Sequence, residues 1–350
     1  MGRRRQQVTI RHVAADAGVS LQTVSRVINN EPNVRPEMQQ RVQASIDKLG
    51  YVPSIAAQRL SGSRSYIILA LNDRDRTIAD WRERQGTDWV DQMLLGGMLK
   101  GAEYGYRLIF ELVDTQDDHV ERELRATIAS LQPDGVILTP PHSENKQITD
   151  LLHEAGIVFA RIGSVAPGPG IAMTMDDRGA AALATAHLAD LGHRRIGLIA
   201  GSSEYSLSGW RIDGWREEMA RRGLADHALL EQGDFSYESG EQAARRLLTR
   251  AEPPTAIIAS NDRMALATMA VAAEMGIAVP DRLSVVSFDN TPIVAFSQPS
   301  LTAVDQPVAE TASLAMESII RCLRGEPVPD EPLVVPSRLV ARQSTAGPAR

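Results

Sequence analysis

The chain has 350 residues, 43% apolar and 23% charged, with a net charge of −7. That length suits two or three packed domains rather than one, and the apolar share is ample for their cores. The single cysteine, Cys322, excludes an internal disulfide and fits a reducing compartment, no apolar run reaches the roughly 18 residues of a membrane span, and the basic start Met1-Gly2-Arg3-Arg4-Arg5 lacks the apolar stretch of a secretion signal.

The charge is unevenly placed. Residues 1–64 hold ten Lys/Arg against four Asp/Glu, a surplus of six positive charges, so the remaining 286 residues carry thirteen negative ones. A small basic head on an acidic body attracts phosphates while the body resists non-specific adhesion.

Taken in chain order, Thr9 is the expected N-cap of a first helix carrying Ile10, Val13, Ala14 and Ala17 at helical spacing. Gly18 breaks the pattern as a residue free to take positive φ. Val19 plugs the turn, and Ser20 caps a second helix over Leu21 to Asn29. Ala14-(x3)-Gly18-Val19-Ser20-(x3)-Val24-Ser25 therefore reads as a helix-turn-helix. Pro36 opens a third helix at its first position, striped by Met38, Val42, Ile46 and Leu49 and ended by Gly50. The second helix is the expected reader of the major groove. Gln22 and Arg26 suit adenine and guanine, Leu21 suits only a thymine methyl or a sugar, and Thr23, Ser25 and Asn29 suit phosphates. Residues 54–62, capped by Ser54 and ending at Gly62, form a helix too short to stand alone in water, with Leu60 as a wedge for the minor groove.

Val8-Thr9-Ile10-(x2)-Val13-Ala14-(x3)-Gly18-Val19-Ser20-(x2)-Thr23-Val24-Ser25-Arg26-Val27-Ile28-Asn29 resembles the head of the lactose/galactose repressor (LacI) family, and Tyr51-(x)-Pro53-(x2)-Ala56-Ala57-(x)-Arg59-Leu60 resembles its hinge. The resemblance implies a dimer on a pseudo-palindromic DNA operator. It gives Leu60 the wedge role with Ala57 beside it, and places Thr9, Ser20, Leu21, Gln22, Thr23, Ser25, Arg26 and Asn29 against DNA. Leu21 departs from the polar or aromatic residue common at its position.

From Tyr66 onward, apolar runs alternate with helical stretches. The runs are Ile67–Leu71, Leu108–Leu112, Gly135–Leu138, Ile157–Ala160, Arg195–Ala200, Ala256–Ala259 and Ser284–Phe288, and the helical stretches include Asp177–Leu191, Gly209–Arg222, Ser239–Thr249 and Arg263–Met275. Near-continuous apolar strands with intervening helices predict buried parallel sheets. Ligands in such folds sit beyond the carboxyl ends of the strands. Polar residues that follow the runs are thus candidates: Asp289 and Asn290, Asn261 and Asp262, Trp210 and Arg211, Arg161, and Asp176. Carboxylates, an amide and arginines beside an aromatic face suit a molecule with many hydroxyls, with a plain helix cap as the lesser reading of each residue alone.

Leu191-Gly192-His193-Arg194-Arg195-Ile196-Gly197, Arg211-(x2)-Gly214-Trp215, Asn261-Asp262-(x2)-Ala265 and Ser284-Val285-Val286-(x)-Phe288-Asp289-Asn290-Thr291-Pro292 resemble the effector domain of the same family. The resemblance implies an all-α helix-turn-helix head plus a periplasmic-binding-protein-like α/β domain of two doubly wound parallel-sheet lobes joined by three crossovers. It implies residues 1–53 as the head, 54–62 as the hinge helix and 63–345 as the effector and dimerisation domain. Within that domain, 63–170 and 306–324 would form one lobe, and 171–305 and 325–345 the other. It implies Arg161, Asp176, Trp210, Arg211, Asn261 and Asp289 as effector contacts, with His193 structural. The segment from Asn72 to Trp89 lacks the family's usual Asn-Pro-Phe after the first strand, and Trp89 either lines the cleft or packs between subunits. The tail after Leu339 has no apolar heptads, so a homodimer is expected.

No G-x-S-x-G, phosphate loop, H-E-x-x-H or paired-cysteine zinc site is found, and Ala166-Pro167-Gly168-Pro169-Gly170 is a turn-rich crossover without the helix of a nucleotide fingerprint. A transport sugar-binding protein would carry a secretion signal and no basic head; a sugar-metabolising enzyme would need a general base or metal cluster. The expectation is a non-enzymatic repressor of carbohydrate uptake or catabolism genes, without cofactor, cytoplasmic and nucleoid-associated on its operator. Its effector is expected to be a mono- or oligosaccharide, with a nucleobase as the alternative, and release of DNA is the expected response.

Overall fold

A computed structural model describes residues 8–28, 33–51, 64–83, 88–114, 119–224 and 229–348. The chain divides into two compact units, Met1–Tyr66 and Ile67–Arg350.

Among its described residues the first unit holds three helices: α1 (Ile10–Ala17), α2 (Leu21–Ile28) and α3 (Pro36–Leu49). Gly18 closes α1 at φ 64°, and the turn is pinned by Arg41 of α3, whose Nη2 donates to the Ala17 carbonyl at 2.5 Å. Ser20 caps α2 as expected, its Oγ accepting the Thr23 N–H at 3.1 Å. Val13, Ala14, Ala17, Val24, Val42 and Tyr51 make the core. Asn29 and the expected hinge helix over 54–62, with Ala57 and Leu60, lie outside the described residues.

The second unit begins with β1 (Ile67–Asp73), α4 (Arg74–Glu83), α5 (Asp88–Glu103), β2 (Arg107–Val113), α6 (Val120–Leu131), β3 (Gly135–Leu138), a short 3-10 turn (His142–Glu144), α7 (Lys146–Glu154), β4 (Val158–Ile162) and β5 (Ile171–Thr174). It continues through α8 (Asp177–Asp190), β6 (Ile196–Ala200), α9 (Ser206–Arg221), β7 (Leu230–Gln232), α10 (Tyr237–Leu248), β8 (Ala256–Ala259), α11 (Asp262–Glu274), β9 (Ser284–Asp289), α12 (Pro292–Phe296), β10 (Thr302–Asp305), α13 (Val308–Leu323), β11 (Leu333–Val334) and β12 (Arg338–Val340).

Among the described residues the strands form two six-stranded sheets, ordered β11-β5-β4-β3-β1-β2 and β12-β10-β9-β8-β6-β7. Neighbouring strands run parallel except β12, which pairs antiparallel with β10 at the edge. The central strands are buried along both faces, as sheets covered by helices on each side must be. In the first lobe α5 lies directly on α13, where a Cβ at Gly96 would come 1.8 Å from the Ala309 carbonyl oxygen.

The lobe boundaries differ from expectation in two places. Strand β5 pairs with β4 in the first sheet (Ala160 opposite Ile171), so the first crossover follows Thr174 rather than residue 170. Strand β11 pairs with β5 (Leu333 opposite Met173), so the segment 325–345 is shared between the lobes. The hydrogen-bond ladders decide both cases: β5 and β11 are too short to be stable off the edge of an existing sheet. The crossovers fall between β5 and α8, between β10 and α13, and between β11 and β12.

Candidate functional site

The head presents α2 by one face. Val24 is buried against α1 and α3, while Leu21, Gln22 and Arg26 are exposed and Thr23 and Ser25 are half-buried. Gln22 and Arg26 lie two positions to either side of the buried Val24, about 200° around the helix, so both turn away from the core. Ser20 and Thr23 hydroxyls lie 2.9 Å apart, and the Thr9 N–H donates to His12 Nδ1 at 3.0 Å. Thr9 and Ser20 are exposed, so both hydroxyl-bearing helix starts remain available to phosphates.

In the second unit a cavity of about 410 Å³ opens between the lobes, beyond the carboxyl ends of the strands. Asn72 and Asp73 reach it from the end of β1, Thr139 from beyond β3, Asn261 from beyond β8, Asp289 from the end of β9 and Gln306 from beyond β10. Three expected effector residues line it. Arg211 of α9 is buried, its Nε and Nη2 donating to Asp177 Oδ1 at 2.9 and 2.7 Å and its Nη1 to the Ser260 carbonyl at 2.5 Å; its guanidinium carbon sits 4.4 Å from the centre of the Phe288 ring. Asn261 caps α11, accepting the Met264 N–H at 2.9 Å and donating to the Phe235 carbonyl at 2.8 Å. Asp289, at φ 90°, accepts from Gln306 Nε2 at 3.0 Å.

Three expected effector residues do not line the cavity. Arg161 is buried in the first lobe and turned onto Ser164 Oγ (3.1 Å) and the Ala166 carbonyl (2.7 Å), holding the loop between β4 and β5, which stays within the first lobe and is not a crossover. Asp176, at φ 54°, caps α8 by accepting the Gly179 N–H at 3.0 Å. Trp210 precedes Arg211 on the same helix, and one helical step of about 100° turns it from the face that carries Arg211.

Residues not anticipated from the sequence complete the wall. Asp73 at the end of β1 and Arg76, Thr77, Asp80 and Asp88 come from the atypical segment, whose described residues after β1 form α4 and the start of α5. Trp89 lines the cavity, which favours the first of its two readings. Arg76 places its guanidinium carbon 5.5 Å from the Tyr205 ring centre and 5.1 Å from that of Phe235. Tyr205 hydroxyl donates to Asp73 Oδ2 at 3.3 Å, and Arg263 Nη1 donates to Asp80 Oδ1 at 2.8 Å. Tyr205 and Phe235 sit in the loops after β6 and β7, so the strand-end rule could have found them.

Burial, then the nearby charge of Asp289, pushes the Asp262 carboxyl up to about 7, while hydrogen bonds from Ser287 and Thr291 pull it back. Asp289 is also raised by burial, against the lowering pull of Arg211, Arg263 and Arg76. Tyr205 is pushed up to about 12, chiefly by burial. No cluster of His, Cys, Asp and Glu able to hold a metal occurs among the described residues.

A helical head with an exposed reader helix, followed by a two-lobed unit whose cleft gathers a few polar side chains among apolar walls, defines a DNA-binding regulator controlled by a small molecule. Residues 9–54 match the model of the bacterial regulatory proteins of the lacI family, and residues 185–345 match that of the periplasmic binding protein-like domain. The chain is 32% identical to the HTH-type transcriptional regulator DegA of Bacillus subtilis (strain 168), covering 97% of this chain and 98% of that one. It is 30% identical to catabolite control protein A of Priestia megaterium, over 97% and 99%. The solved structure of the transcriptional regulator CelR in complex with cellobiose superposes with a TM-score of 0.72 at 29% identity, covering 97% and 100%. The chain belongs to the LacI family of bacterial transcriptional regulators. It binds operator DNA and is not an enzyme, and no described helix is long and apolar enough to cross a membrane.

Proposed function

We propose that this chain is a cytoplasmic repressor of carbohydrate uptake or catabolism genes that releases its operator when a saccharide fills the cleft. The observation that carries the reading is the convergence of Arg211, Asn261 and Asp289 on one cavity at the carboxyl ends of the strands. Such donors and acceptors, fixed by their own hydrogen bonds, suit vicinal hydroxyls. The cellobiose bound to CelR supports the same class of ligand.

Operator contacts divide by chemistry. Gln22 and Arg26 read bases, Leu21 meets a thymine methyl or a sugar, and Thr9, Ser20, Thr23, Ser25 and Asn29 hold phosphates. Leu60 enters the central step with Ala57 beside it. The chain acts as a homodimer on two half-sites. Leu95, Met98 and Leu99 support this, since they leave a contiguous apolar patch exposed on α5, of the kind that marks association surfaces.

Footprinting on DNA from upstream of its own gene tests the reading. Two protected half-sites about one helical turn apart are expected. Protection of one half-site, or none, contradicts it.

A further inference from the structure

Three arginines line the cleft, and two are spoken for. Arg211 is paired with Asp177 and Arg263 with Asp80. Arg76 makes no close ion pair among the described residues, though its charge is felt by Asp234 and Asp289. Its guanidinium instead lies over the corner made by Tyr205 and Phe235, two rings set edge-to-face with centres 5.8 Å apart. Rings stabilise the cation without using its in-plane N–H donors. Helix α4, which carries it, is tied at both ends. The Arg76 N–H donates to Asp73 Oδ1 at 3.0 Å, Arg74 Nη2 reaches Asp114 Oδ2 at 2.6 Å, and Asp80 accepts from Arg263. The guanidinium is therefore preorganised at the cavity wall.

We propose that Arg76 is a specificity-determining residue of this cleft, and that it receives the anionic group of an acidic carbohydrate, a carboxylate or a phosphate ester. The inference rests on the saccharide reading above and narrows it. Planar guanidinium matches either oxyanion through two parallel hydrogen bonds. The cleft also carries carboxylates, and these set where the anion goes. Asp80 is met by Arg263 and Asp289 by Gln306, while Asp262 accepts from Ser287 Oγ at 2.6 Å and from the Thr291 N–H at 2.7 Å. Asp88, at the start of α5, leaves its own region unsuited to an anion. At the Tyr205–Phe235 corner Asp73 is likewise met, by the Tyr205 hydroxyl and the Arg76 backbone N–H, and Asp234 by the Ser236 N–H, so the acidic group is directed to the Arg76 guanidinium there, and the hydroxyls to Arg211, Asn261 and Asp289.

Calorimetric titration of the full chain tests this with glucose, galactose and mannose, their uronates, aldonates and 6-phosphates, and glucosamine as the cationic counterpart. An anionic member should bind at least about tenfold tighter than its neutral parent, the worth of one charge-assisted contact. Arg76→Gln should erase that preference and Arg76→Lys should keep part of it, with unfolding temperatures confirming folded variants. A neutral sugar that binds equally well, a preference for glucosamine, or an anionic preference that survives Arg76→Gln overturns the inference while leaving the saccharide reading standing. Binding by no carbohydrate overturns both.

Discussion

Arg263 of α11 donates to Asp80 of α4 at 2.8 Å, an ion pair that joins the second lobe to the first across the mouth of the cleft. Both side chains are less than a quarter exposed, so the pair is shielded more than a surface bridge. The same side of the cleft is closed by Tyr205 on Asp73, and Ser206 of the second lobe donates to Glu144 of the first. Lobe closure is thus written into side chains that also border the effector cavity, which is how a small ligand can bias a two-state domain.

Removing either partner of that pair should loosen the closed arrangement. Arg263→Ala or Asp80→Ala is expected to cost about 1–3 kcal/mol of stability, because each leaves a partly buried charge alone. The reversed pair, Asp80→Arg with Arg263→Asp, should recover much of the loss. Urea unfolding of wild type, the two single alanine variants and the double variant Asp80→Ala/Arg263→Ala as a double-mutant cycle measures the coupling, and purely additive losses would mean the pair carries none.

Arg211 has a structural duty beside its ligand role. Arg211→Ala strands Asp177, which is 2% exposed, and is expected to cost about 3–5 kcal/mol. Arg211→Met together with Asp177→Asn should cost less, while still abolishing the response to effector. Thermal unfolding paired with an effector titration separates the two roles. Equal stability of Arg211→Ala and wild type would contradict the buried pair.

The raised Asp262 carboxyl links stability to pH. Its folded-state value near 7 lies above the ordinary 3.8, so the folded chain holds this proton more tightly than the unfolded one. The contribution is complete below about pH 4 and fades as pH climbs through 7. Between pH 5 and 8, Asp262→Asn should therefore lose less stability than wild type. Urea midpoints at both pH values give the comparison, and identical slopes would exclude the shift.

Contact between α5 and α13 depends on the absence of a side chain at Gly96. Gly96→Ala should push the helices apart and cost about 1–3 kcal/mol, despite the better helix propensity of alanine. A melting temperature at or above that of wild type would refute the close contact.

In the head, Gln22→Ala should weaken operator binding by about 1–3 kcal/mol and relax preference at one base position. Operator variants tested by fluorescence anisotropy would show it. A uniform loss across all sequences would reassign Gln22 to the phosphate backbone.

The parts of the fold that sequence revealed are those where local and tertiary signals agree. Gly18 and Gly50 stop helices at φ 64° and 59°, Ser20 caps α2, and the apolar runs become the buried strands. Helix α4 escaped notice because Arg74-Asp75-Arg76-Thr77-Ile78-Ala79-Asp80-Trp81-Arg82-Glu83 has almost no apolar face. Partners far along the chain hold it, including Asp114, Arg263 and Phe110, whose ring centre lies 6.1 Å from that of Trp81. A polar residue after a strand serves a ligand or a helix cap with equal ease. Asp176 caps α8 and does not line the cavity, whereas Asn261 is a cap that also borders it, and only the three-dimensional position of the strand end distinguishes them.

The most direct test of ligand-controlled DNA binding is a titration of the protein–operator complex, formed on DNA from upstream of its own gene, with mono- and disaccharides and their acidic derivatives. Release of the wild-type protein by one carbohydrate, with no release of the Arg211→Met/Asp177→Asn variant, is the predicted result. A specific complex that no carbohydrate disturbs would contradict the account.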